Sequence, residues 1–163
     1  MSTALQVLIF DTGPLWELFL YRAVHTLGFR RLSTELRYLQ TGSYYEKLSH
    51  FIAGFPTRVT TPHVVAEISA KIIRTEEQGR ASIWDQVCTE FRSIGMDEKL
   101  LKLLEMAPEL VKQFGAVDAS ILELSTNYAP GTSLVLSIDG ALIRRCKNSG
   151  INSCDLWEVF ATG

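Results

Sequence analysis

Four carboxylates stand where a side chain can do chemistry: Asp11, Glu67, Asp118 and Asp139. Asp11 ends the apolar run Val7-Leu8-Ile9-Phe10, and Asp139 follows the apolar stretch Ser133–Ile138. A buried strand that delivers an acid at its carboxyl end, where a helix begins, is a common way to build a site. Glu67 and Asp118 fall in the first turns of helical segments, beside apolar residues. Taken singly, each acid reads as well as a helix cap or a dipole partner. Taken together, parallel strands would bring their carboxyl ends and the helix starts to one edge, and all four acids to one cleft. Carboxylates packed there raise one another's pKa and favour a cation. An all-oxygen donor set suits Mg²⁺ or Mn²⁺, and such an ion activates water and neutralises a phosphate, as in many nucleases.

The elements that must position these acids follow from patterning. The apolar run before Asp11 predicts a strand, and Pro14 suits the first turn of the helix after it, which ends at Gly28. Phe29–Tyr45 is ambiguous between a short helix with a loop and a flap. Tyr44–Ile52 reads as helix and Arg58–Thr60 as a short strand. Thr61-Pro62 supplies an N-cap and a first-turn proline for a helix with Val64, Val65, Ile68, Ile72 and Ile73 on its buried face. Ala81–Ile94 predicts a helix. Met96–Met106 and Pro108–Phe114 predict two more, the first capped by Asp97 and carrying Lys99 and Lys102. Asp118 opens another helix, Ala116–Leu124. A second apolar strand, Ser133–Ile138, precedes a helix over Ala141–Lys147 that stops at Gly150. Ile151–Cys154 reads as an edge strand followed by a turn at Asp155-Leu156-Trp157. Strands separated by helices imply an α/β fold with a central, mainly parallel sheet.

Composition narrows the function classes. The 163 residues are 47% hydrophobic and 21% charged, which suits one globular domain over residues 1–163 and disfavours disorder. A formal net charge of -2 excludes a generally basic nucleic-acid binder, so any such contact must be local or metal-bridged. The N-terminal apolar run is cut by Asp11 and Glu17 and lacks a basic lead, so neither a signal peptide nor a membrane span is expected. Three cysteines, Cys88, Cys146 and Cys154, show no zinc-ligand spacing and read as packed, reduced thiols of a cytoplasmic protein.

The motifs, in order along essentially the whole chain, resemble those of PIN-domain ribonucleases, of the kind found as VapC-type toxins of toxin–antitoxin pairs. The carrying residues are Asp11-Thr12-Gly13-Pro14-Leu15 after a strand, Thr61-Pro62 leading to Glu67, Gly115-x-x-Asp118-Ala119 opening a helix, and Leu136-Ser137-x-Asp139-x-x-Leu142. The resemblance implies a three-layer α/β/α PIN-like fold. It implies Asp11, Glu67, Asp118 and Asp139 as a catalytic quartet holding Mg²⁺ or Mn²⁺, with Thr12 and Ser137 as polar supports. Single-stranded RNA is then the expected substrate. If the chain is a toxin, a cognate antitoxin would occlude the acidic cleft with a basic side chain, and homodimerisation would fit the family. The Phe29–Phe55 region is longer than in compact members.

Arg30, Arg31 and Arg37, and Arg144 and Arg145 with Lys147, are candidate phosphate contacts, although basic residues near a helix C-terminus also serve the dipole. His63 and Glu67 have metal-capable spacing, but one such pair is weak, and His63 reads as a helix-start or surface residue. Trp16, Trp84 and Trp157 lie in apolar patterns and read as core or interface. Two rival functions share the architecture: a catalytically silent PIN-like binding or scaffold module, and a PIN nuclease of RNA processing. An aspartyl-phosphate enzyme or receiver-like domain ranks lower, because Asp11 lacks a D-x-D motif.

Overall fold

The two most apolar strands lie side by side at the centre of the sheet. β1 (Val7–Phe10) and β4 (Ser133–Ser137) are buried along their whole length and pair in parallel, with Val7 opposite Ser133 and Phe10 opposite Leu136. Strands covered on both faces need continuous apolar runs, and these two have them. β2 (Thr57–Thr60) pairs with the other side of β1, β3 (Met96–Glu98) with β2, and β5 (Ser153–Asp155) with β4. The order is β3-β2-β1-β4-β5, and every pairing is parallel. The computed structural model describes residues 4–74, 77–101 and 106–161, with the side chains of 31–33 and 77–80 also outside the description.

α1 (Thr12–Thr26), α2 (Gly42–Ala53), α3 (Pro62–Ile73), α4 (Glu77–Ser93), α5 (Pro108–Phe114), α6 (Ala116–Thr126), α7 (Gly140–Asn148) and α8 (Leu156–Ala161) complete the described elements. The chain steps from β1 through β2 to β3 in one direction across the sheet, then crosses to β4 and β5 on the other side. Right-handed crossovers therefore put α1–α4 on one face and α5–α7 on the other, giving the expected three-layer α/β/α architecture. Leu8, Ile9, Phe10, Leu15, Phe19, Ile68, Ile121, Val135 and Leu136 form the centre of the core.

Three expectations change. Met96–Glu98 is an edge strand and not the start of a helix: Asp97 pairs with Val59, and the Lys99 amide donates to the Thr60 carbonyl at 2.9 Å. The remainder of that predicted helix, with Lys102, falls partly outside the described residues. A three-residue edge strand with exposed acids has no alternation to reveal it; its pairing with β2 makes it a strand. Asp155-Leu156-Trp157 opens a helix and not a simple turn, because Leu156, Val159 and Phe160 bury one face. On α3, Ile73 is 61% exposed, and the buried face is Val64, Ile68 and Ile72.

The ambiguous stretch after Gly28 is a 3₁₀ helix over Arg30–Glu35 followed by an irregular segment. Its anchor is Glu17 of α1, 2% exposed. The two Glu17 carboxylate oxygens accept the backbone N–H groups of Arg37, Tyr38 and Leu39, each at 3.0 Å. A buried charge facing three donors is satisfied, and it ties the segment to α1.

Candidate active site at the carboxyl edge of the sheet

The chain reverses its direction of travel across the sheet between β1 and β4. In an open parallel sheet that switch point leaves a crevice outside the strand carboxyl ends, the usual place for a ligand. Asp11 and Asp139 leave β1 and β4 there, and α3 and α6 begin beside them, so the fold assembles all four sequence-predicted acids at this edge.

Asp11 caps α1 and is 7% exposed. Its Oδ1 accepts the Thr12 amide at 2.6 Å, and its Oδ2 accepts the Ser137 hydroxyl at 2.6 Å. Ser137 in turn accepts the Asp139 amide at 2.9 Å, so one hydroxyl couples the two strand ends. Asp139 is exposed and caps α7, its Oδ1 accepting the Ala141 amide at 2.6 Å. The Thr12 hydroxyl donates to Glu67 Oε2 at 2.8 Å, which turns Glu67 inward to α1. Thr12 and Ser137 thus stand as polar supports between the acids.

Gly13 makes the closeness of the two strand ends possible. A Cβ there would lie 2.6 Å from Ile138 Cδ1, so the turn after β1 packs directly on the residue after β4. Three further hydroxyls tie these elements together, and of them the sequence marks only Thr61, as a cap. Ser120 of α6 donates to the Val117 carbonyl at 2.7 Å, which leaves Thr61, the cap of α3, to donate to Ser120 at 2.8 Å. That bond pins the helix of Glu67 to the helix of Asp118. Thr60 donates to the Phe10 carbonyl at 3.1 Å, holding the end of β2 to the end of β1. Threonine and serine are too common in helices and strands for sequence alone to single out Ser120 and Thr60.

The electrostatics are those of crowded acids. Burial pushes the Asp11 carboxyl from 3.8 up to about 6 against its two hydrogen bonds, and the charges of Asp118 and Glu67 push the same way. Burial also raises Asp118; Arg145 opposes that shift, while Asp139 and Glu67 add to it. Arg145 forms an ion pair with Asp118 and lies over the Phe114 ring at 4.3 Å. Of the basic residues considered for phosphate contact, Arg145 is therefore held at the acidic edge, Arg30, Arg37 and Arg144 are exposed, and the Arg31 side chain lies outside the described residues. His63 sits in the first turn of α3 with Nδ1 buried and without a hydrogen-bond partner among the described residues. Cys146, behind the site, is fully buried and pushed up to about 12 by burial, then by Asp118 and Asp11, which makes it an inert thiol.

The oxygen-only donor set fits Mg²⁺ or Mn²⁺ in type, and two of the carboxyls are disfavoured as anions by burial and by their neighbours. Among the described residues, no three Asp, Glu, His or Cys side chains group closely enough to form a ready ligand set. No described helix is long and apolar enough to cross a membrane. Comparison of the sequence with family models and with curated proteins gives no match.

Proposed function

We propose that this chain is a metal-dependent endoribonuclease of the PIN type that hydrolyses phosphodiester bonds in single-stranded RNA. One observation carries the reading: Thr12 and Ser137 link Asp11, Glu67 and Asp139 at the switch point of a parallel sheet, and the charge of Asp118 reaches Asp11 there. Asp11, Glu67, Asp118 and Asp139 would hold Mg²⁺ or Mn²⁺, which when bound supplies an activated water and neutralises phosphate charge. The chain's own residues do the rest. Ser137 and Thr12 fix the Asp11 carboxylate, Thr12 orients Glu67, and the Thr61–Ser120 bond keeps α3 and α6 in register. Arg145 pairs with Asp118 and offsets its charge.

A role as the toxin of a toxin–antitoxin pair, with an antitoxin as partner and a homodimer as the working form, rests on the sequence resemblance. The second reading, a catalytically silent module of the same architecture, is favoured by the ion pair of Arg145 with Asp118, which occupies one of the four acids. Incubation of single-stranded RNA with Mg²⁺ or Mn²⁺, with EDTA, and with Asp11→Asn and Asp118→Asn separates the two. Cleavage that chelation and both substitutions abolish supports the nuclease. RNA binding without cleavage supports the silent module, and cleavage indifferent to EDTA and to both substitutions overturns the metal-nuclease reading.

A further inference from the structure

Behind the Thr12–Glu67 hydrogen bond, α1 and α3 carry a second cross-link one turn further from the acidic edge. Trp16 follows Thr12 along α1, and Lys71 follows Glu67 along α3 at the same spacing, so both pairs lie on the same helix faces. Four residues of helix advance about 6 Å. Lys71 Nζ sits over the Trp16 ring at 5.9 Å from its centroid, at the outer limit of a cation–π contact. Trp16, Lys71, Arg74 and Glu35 line a cavity of about 240 Å³ there. Trp16 and Lys71 are partly exposed, and Arg74, the C-cap of α3, is exposed. Among the described residues, neither Lys71 nor Arg74 pairs with a carboxylate. Lys71 turns to the ring and Glu67 to Thr12, so the usual pairing of acid and base one turn apart is not made.

A partly exposed indole with Lys71 at its ring and Arg74 lining the same cavity, beside a candidate phosphodiester site, matches the needs of a single nucleic-acid strand. Bases stack on an aromatic face and phosphates meet cations, with little demand on sequence. We propose that this groove holds the RNA segment adjoining the scissile phosphate, with a base on Trp16 and backbone phosphates on Lys71 and Arg74. The proposal rests on the endoribonuclease reading and names its substrate track. Trp16 is thereby a binding residue and not simply core, while Glu35 lines the same cavity and limits the net charge of the groove to that of one cation. The Glu17 clamp on residues 37–39 holds the segment that carries Glu35 against α1.

The test measures fluorescence anisotropy of a labelled single-stranded RNA on the full chain carrying Asp118→Asn, alongside cleavage by the unsubstituted chain. Added Trp16→Ala is expected to weaken binding about fivefold to a hundredfold, and Trp16→Phe to restore most of it. Lys71→Ala with Arg74→Ala, both at the surface, should weaken binding and flatten the logarithmic salt dependence by about 1.4. Affinity within twofold of the parent in Trp16→Ala and in the double charge variant overturns the groove, and cleavage by the unsubstituted chain would then leave the nuclease reading standing. A loss in Trp16→Ala that Trp16→Phe does not restore, with an unaffected charge variant, also overturns it. An unsubstituted chain that neither binds nor cleaves RNA brings down both.

Discussion

Asp11 and Glu17 belong to the same β1–α1 unit and are almost equally hidden from water, 7% and 2% exposed. Their surroundings differ in kind. Glu17 accepts three backbone N–H groups, so its charge is spent on holding residues 37–39. Asp11 has two donors, but it also faces Asp118 and Glu67, and its carboxyl is driven up to about 6. Burial by itself therefore does not mark a functional acid. An acid whose partners satisfy it builds structure, whereas one crowded by like charges retains a demand for a cation.

Substitution should separate the two roles. Asp11→Asn is expected to lower metal-dependent RNA cleavage by at least about a hundredfold, beyond the usual loss for a residue that merely supports a ligand. Its thermal midpoint at neutral pH should stay the same or rise, because a desolvated, repelled charge is removed. Glu17→Ala should do the reverse. Three amides lose their acceptor, and the expected loss is about 3 kcal/mol or more, a fall of about 10 °C in Tm by calorimetry. A Glu17→Ala protein as stable as wild type would break the distinction.

The pH dependence sharpens it further. In the cation-free protein the Asp11 carboxyl titrates near 6 in the native state against 3.8 as its ordinary value. The native state holds the proton more tightly, so this group favours folding at low pH, and that advantage is lost as pH rises from about 4 to about 6. The difference is on the order of 3 kcal/mol. Urea unfolding of wild type and Asp11→Asn across that range should show wild type alone losing this component; parallel profiles would remove Asp11 from the crowded-acid class.

Smaller effects are expected from the supports. Gly13→Ala forces Ile138 aside and should cost about 1–3 kcal/mol, with a fall in cleavage as the two strand ends separate. Thr12→Val removes one hydrogen bond to Glu67, with an expected cost of about 1 kcal/mol in urea unfolding and a loss of about tenfold in metal affinity or activity.

The central strands and most helices were legible because their signals are local. The apolar runs ending at Asp11 and Asp139 are continuous, Thr61-Pro62 is a cap followed by a first-turn proline, and Gly150 stops α7. The four acids were legible as candidates by the same token, since each sits at a strand end or in the early turns of a helix. β3 was not, because three residues carry no periodicity and β2 alone makes them a strand. Thr61 was legible as a cap but its bond to Ser120 was not, because a hydroxyl becomes a cross-link only when its partner arrives from elsewhere in the chain.

Sequence by itself determined the alternation of strands and helices, the parallel α/β class and the residue types at the carboxyl edge, since these depend on patterning over a few turns. Tertiary structure alone decided that Glu17 is an anchor, that Arg145 stands on Asp118, and that Trp16 meets Lys71 one turn behind the Thr12–Glu67 bond. Each of those pairings joins residues far apart in the chain. The energy of a buried charge or a cation on a ring depends on what the fold brings within a few ångströms, which no local pattern encodes.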